Sequence, residues 1–139
     1  MSDILQFLQQ RNSASRLIAP APSAAQLQGI FRAALRAPDH AWLRPWRFIT
    51  IAGERRTALG ELLEQCLLAR TPDADETART KARTAPMRAP LIVVVVVKVC
   101  EHAKVPAVEQ RLSAACAAQA ILLGAEACGF AGMWRTGAV

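Results

Sequence analysis

The sequence predicts an α/β or α+β sandwich, on three observations. Residues 23–35 carry Leu27, Ile30, Phe31, Ala34 and Leu35 at helical spacing, an apolar stripe with a polar back. Leu91–Val97 is a continuous, mostly β-branched run of strand length. Helical and strand patterns alternate along the chain, so helices and a sheet must share one core.

Bulk properties bound the rest. The chain has 139 residues, 53% apolar and 20% charged, which suits one globular domain and argues against disorder. Residues 1–10 carry one acid, no base and no cleavage-like run, so no signal peptide is expected. The longest apolar stretches, 91–97 and 113–128, are too short to span a bilayer. A soluble, cytoplasmic protein without a membrane partner is the expectation. Cys66, Cys100, Cys116 and Cys128 lack CxxC spacing, and His40 and His102 form no cluster with them, so no metal is expected. Cys66, Cys116 and Cys128 sit in apolar helical patterns and read as buried thiols. The net charge of +6 comes mainly from 14 arginines against 3 lysines. Arginine suits bidentate recognition of phosphate or carboxylate, and also nucleic acid. These arginines are scattered, no aromatic motif interleaves with them, and Tyr is absent.

The elements follow in order. Asp3–Gln10 reads as a helix with Ile4, Phe7 and Leu8 on one face. The helix at 23–35 opens with a capping box, Ser23 with Gln26, and is broken by Ala37-Pro38-Asp39-His40. Residues 47–52 alternate as a strand ended by Gly53. Residues 54–70 form a helix with Leu59, Leu62, Leu63, Cys66 and Leu67 inward. Residues 71–84 are polar and mobile-looking, with room for a short helix, and Pro86 and Pro90 bracket a loop. Leu91–Val97, apolar on both faces, reads as a central strand. Pro106 suits the first turn of a long helix over 107–128, whose small residues at 114–120 place it mid-fold or at a subunit seam. Gly129 is its C-cap, and residues 131–139 begin something extended.

Three segments can carry chemistry. Arg11-Asn12-Ser13-Ala14-Ser15-Arg16 offers two guanidiniums and two hydroxyls to a phosphate, or complements a helix dipole. Arg36 to His40, followed by Arg44-Pro45-Trp46-Arg47-Phe48, is a proline-stiffened loop suited to a ligand, or a rigid connector with Trp42 and Trp46 in the core. Gly129-Phe130-Ala131-Gly132-Met133-Trp134-Arg135-Thr136-Gly137 lets backbone approach a flat ligand, with Arg135 and Thr136 as donors. It is not GxGxxG and follows no strand. No nucleophile elbow, Walker lysine or carboxylate pair appears. Glu101, Glu109 and Glu126 read as solvated or capping acids, and His102 as a surface residue.

Read in order, the chain resembles the flavin-dependent nitroreductase family, and within it a compact bacterial NAD(P)H nitroreductase branch. The matching pieces are Arg-x-Ser-Ala-Ser-Arg at 11–16, Arg-Ala-Pro-Asp-His at 36–40, Pro-Trp-x-Phe at 45–48 and Arg-Ala-Pro-Leu-Ile at 88–92. Lys-Val-Pro-x-x-Glu-Gln at 104–110 and Gly-x-x-Gly-x-Trp-Arg-x-Gly-Ala at 129–138 complete the set. The resemblance implies an α+β sandwich with a mixed, mostly antiparallel sheet flanked by helices, and a homodimer with FMN at its interface. It implies that Arg11, Asn12 and Ser13 bind the FMN phosphate, that Arg36 and His40 line the flavin, with His40 toward substrate, and that Trp134, Arg135 and Thr136 complete the site. Gly124, Ala125, Glu126, Ala127, Cys128 and Gly129 match a stretch assigned to the nicotinamide cofactor, NADH or NADPH. Flavin carries the chemistry, so no catalytic side chain is expected. The acceptor is a small electron-poor nitroaromatic or quinone, reduced in a ping-pong cycle, with positive charge from Arg135 or Arg36 stabilising reduced flavin.

Three departures stand out. Asn12 replaces a common second arginine, and Arg44 replaces a common glutamine. The chain also stops before the last strand and the arm that crosses to the partner, which implies an exposed sheet edge and a weaker dimer. The rival readings are a flavoprotein of the same fold with another redox reaction, an inactive shortened chain, and a non-enzymatic basic nucleic-acid-binding domain.

Overall fold

A computed structural model describes residues 3–137. Five helices and two strands run in the order α1 (Asp3–Gln10), α2 (Ala24–Ala34), β1 (Trp46–Ala52), α3 (Arg55–Arg70), α4 (Glu76–Thr84), β2 (Leu91–Val97) and α5 (Ala107–Ala127). Single 3₁₀ turns sit at His40–Trp42 and Ala85–Arg88. β1 and β2 pair with each other, and Lys98 N–H donates to the Pro45 carbonyl at 2.9 Å. The end of β2 thus lies beside the start of β1, so the pair is antiparallel. The elements form an α+β fold. Of the expected extended end, Ala138 and Val139 lie outside the described residues.

The chain divides into two compact units. The first contains α1, α2, α5 and the loop at 36–45. α2 begins with the expected capping box: Ser23 Oγ accepts from Gln26 N–H, and Gln26 Oε1 from Ser23 N–H. Its buried residues, Ile30 and Ala34, lie four apart on one face. α5 buries Gln110, Ala114, Ala117 and Ile121, one row along the helix. Trp46 packs on Ala114 and Ala117, with Ala37, Phe48 and Val95 around them. Phe48 also stacks on Phe31, with ring centroids 5.4 Å apart. The small residues of α5 do what their size predicts. An added Cβ at Gly124 would stand 3.3 Å from the Ile30 backbone, so α2 and α5 meet closely there.

The second unit holds α3 and α4, with a polar centre. Glu64 is buried on α3 and accepts from Arg79 at 2.9 Å and Arg83 at 3.1 Å, both on α4. Asp75 caps α4 by accepting from Ala78 N–H at 2.7 Å.

Several expectations need correction. Leu62 is exposed; Gly60 and Glu64 bury instead, because the partner of α3 is an arginine-bearing helix. In the polar stretch at 71–84, read as mobile-looking with room for a short helix, residues Glu76–Thr84 form α4. Pro106 precedes α5 in extended conformation rather than lying in its first turn. Cys116 and Cys128 are exposed and only Cys66 is half-buried, since Cys116 lies off the buried row of α5 and Cys128 sits at its end. β2 is not a central strand among the described residues. Its one partner is β1, and Val96 and Val97 are exposed, because a β-branched run specifies apolar faces and not the number of neighbouring strands. No helix among the described residues is long and apolar enough to cross a membrane.

Candidate functional site

The first chemical segment begins where α1 ends. Arg11 Nη1 donates to the Asn12 carbonyl at 2.7 Å and to Ser13 Oγ at 3.4 Å, so guanidinium and hydroxyl are neighbours. The next contacts reach across the chain. Asn12 N–H donates to Glu126 Oε1 at 3.3 Å, and Ala14 N–H to the Gly132 carbonyl at 3.3 Å. Segments at 11–14 and 126–132, far apart in sequence, are therefore stitched together.

The end of α5 sets this geometry. Gly129 has φ +83°, where a Cβ is costly. Its N–H donates to the Glu126 carbonyl at 2.9 Å, and Phe130 N–H to the Ala125 carbonyl at 2.9 Å, the paired bonds of a Schellman stop. The chain turns off the helix there toward Gly132. Glu126 Oε2 is buried and has no hydrogen-bond partner. Spacing gave no signal for the Glu126 contact, since its partner lies 114 positions away. Ala127, Cys128 and Gly129 are exposed at the helix end, while Gly124 faces Ile30. Trp134 is partly exposed, and Arg135 and Thr136 follow it in an exposed, irregular stretch.

The second segment leaves α2 at Arg36, which is exposed. Ala41, Trp42 and Arg44 adopt φ of +61°, +55° and +49°. Three left-handed non-glycine residues in four cost free energy and need local support. The support is visible. Asp39 Oδ2 accepts Arg44 N–H at 2.8 Å, Arg44 Nη1 donates to the Leu35 carbonyl, and the guanidinium lies over the Trp42 ring at 4.7 Å. The two tryptophans divide: Trp46 is 8% exposed and Trp42 is 71% exposed. The loop presents His40, whose Nδ1 stands 3.2 Å from Glu109 Oε2 on α5. Beside that pair lies an open cavity of about 240 Å³, lined by Pro38, Asp39, His40, Glu109, Leu112, Ser113 and Cys116. Glu109 has a partner that its lone position in the sequence did not disclose.

Within the first unit the fold thus presents a cationic, hydroxyl-bearing anchor joined to the end of α5, and a braced loop that displays a histidine. Comparison with known proteins gives the context. The sequence matches the Nitroreductase family over residues 8–138. The chain belongs to this family. It is 50% identical over 137 residues to the protein named "Putative NAD(P)H nitroreductase YdjA" from Escherichia coli K12, covering 99% of this chain and 74% of that relative. Among solved structures, a nitroreductase-like family protein from Bacillus cereus superposes with a TM-score of 0.79 at 20% identity, over 99% of this chain and 71% of the other. A nitroreductase from Bacteroides fragilis with bound FMN superposes with a TM-score of 0.72 at 21% identity, over 94% and 68%. Nitroreductase folds thus accommodate nearly all of this chain.

Proposed function

We propose that this nitroreductase-family chain is an FMN-dependent NAD(P)H oxidoreductase that reduces nitroaromatic or quinone-type acceptors. The observation that carries the reading is the tie between residues 11–14 and the end of α5, which gathers Arg11 and Ser13 beside the glycine-bearing segment. The name of the E. coli relative and the FMN in the B. fragilis structure support the same reading.

The donor set fits a mononucleotide tail. Arg11 brings fixed positive charge and a planar donor fork, and Ser13 adds a hydroxyl within its reach. Asn12 N–H is held by Glu126 in this structure, so it can serve a phosphate only if Glu126 releases it. The orphaned Oε2 of Glu126 suits a hydroxyl donor rather than a phosphate oxygen. His40 and the Arg11 anchor meet opposite ends of α5, so in this reading Arg36 and His40 line the flavin held by the other copy of the dimer, Trp134, Arg135 and Thr136 complete the site, and residues 124–129 approach NADH or NADPH. When bound, FMN supplies the two-electron chemistry of a ping-pong cycle between nicotinamide and acceptor. The chain anchors the phosphate, shapes the ring site and supplies positive charge. The active form is a cytoplasmic homodimer with FMN at the interface.

A nucleic-acid-binding role has less support. Arg79 and Arg83 are paired with the carboxylates of Glu64 and Glu76, which offsets their charge on any continuous basic surface.

The test is a flavin titration of the purified chain. We expect a yellow complex that bleaches anaerobically on adding NADPH or NADH. Arg11→Ala should weaken FMN by roughly 10- to 150-fold, the loss of charge-assisted hydrogen bonds of about 1.5–3 kcal/mol. A protein that stays colourless after gel filtration from excess FMN overturns the assignment.

A further inference from the structure

Resting on that reading, we propose that Glu109 is the positioning residue for His40, holding its ring with Nδ1 protonated and leaving Nε2 to the acceptor. The geometry begins with the 3.2 Å contact between His40 Nδ1 and Glu109 Oε2. An ionised carboxylate only accepts, so the hydrogen of that bond belongs to Nδ1. In the neutral ring Nε2 then carries the bare lone pair. A free imidazole has no such constraint.

Two independent braces aim the pair. On one side the loop at 39–44 is held in a costly left-handed conformation by Asp39, Arg44 and Trp42. On the other side Gln110, next to Glu109, is 1% exposed and bonded at both ends of its amide. Its Oε1 accepts from Cys100 N–H at 2.9 Å, and its Nε2 donates to the carbonyls of Cys100 at 2.8 Å and Val105 at 3.0 Å. These bonds pin the first turn of α5, and with it the backbone of Glu109.

Stability does not explain the pair. The side chains are 58% and 47% exposed, and an exposed ion pair contributes little to folding. Its position does suggest a role, because it borders the cavity walled by Pro38, Leu112 and Cys116. An apolar wall with a polar edge suits a flat aromatic acceptor bearing a polar substituent. The other ionisable groups lining this cavity are Asp39, which is committed to Arg44, and Cys116.

The test separates this inference from the functional reading. The ¹⁵N shifts of His40 are recorded in flavin-free, histidine-labelled protein in mildly alkaline buffer, assigned against His40→Gln. We expect a protonated Nδ1 and a bare Nε2 in the native chain. Glu109→Ala should move the ring toward the Nε2-protonated tautomer, and Glu109→Asp should restore part of the native pattern. In the holoenzyme, Glu109→Ala should raise the quinone KM about 2- to 10-fold, the range for one lost hydrogen bond, with Tm unchanged. An unchanged tautomer in Glu109→Ala, or an unchanged quinone KM, overturns the inference. Failure of the native chain to bind FMN overturns the functional reading instead, and leaves the tautomer result standing.

Discussion

Gln110 shows how one residue couples stability to the candidate site. It is a fully buried amide whose three backbone contacts fasten the loop after β2 onto α5. Gln110→Ala would strand the Cys100 amide and two carbonyls without partners, at a cost of about 2–4 kcal/mol. A lowered Tm measures it, and a Tm within a degree of native would contradict the role. In the sequence Gln110 is one polar residue in the first turn of a helix, because its partners come from a loop whose path no local pattern encodes. The same limit hid Glu109 and Glu126. Arg11 and Ser13 could be singled out as candidates because guanidinium and hydroxyl two residues apart suit an anion, whichever way the chain folds. A lone acid acquires meaning only from the distant group brought to it: His40 for Glu109, Asn12 N–H for Glu126.

At the scale of elements, local signals with strong physical causes were readable. The capping box fixed the start of α2, Gly129 the end of α5, and the β-branched run the extent of β2. α4 was less legible. Its sequence, Glu-Thr-Ala-Arg-Thr-Lys-Ala-Arg-Thr, has no apolar stripe to mark a buried face. What holds it is tertiary: Glu64 of α3 between Arg79 and Arg83. Gly60 makes the close approach possible. A Cβ there would collide with the Arg83 carbonyl at the end of α4. Gly60→Ala must push α4 away, at a cost of about 1–3 kcal/mol. For a chain of this size that lowers Tm by several degrees, about 2–4 °C per kcal/mol. Gly29→Ala is the control, since a Cβ there meets open space. On α2 that exchange should be neutral or slightly stabilising. Equal Tm values for the two variants would rule out the collision.

At the scale of the molecule, the apolar residues left in water test the proposed dimer. Ile4 is 73% exposed on α1, with Leu8 a turn away; Val96 and Val97 on β2 and Val108 and Leu112 on α5 are exposed too. Apolar side chains displayed on several elements mark surface that association can cover. If FMN sits where two copies meet, covering that surface and holding flavin are one equilibrium, and each must strengthen the other. Light scattering should then give a mass near twice the 15.0 kDa of the chain, and added FMN should shift any monomer toward that form. Ile4→Glu with Leu8→Glu places two carboxylates on α1, and burying them unpaired opposes the dimer. The double variant should be monomeric and should bind FMN at least 10-fold more weakly, although neither residue belongs to the anchor. A monomeric variant with native FMN affinity would show that flavin binding does not depend on the interface. A variant still dimeric would exclude the apolar face of α1 from the interface.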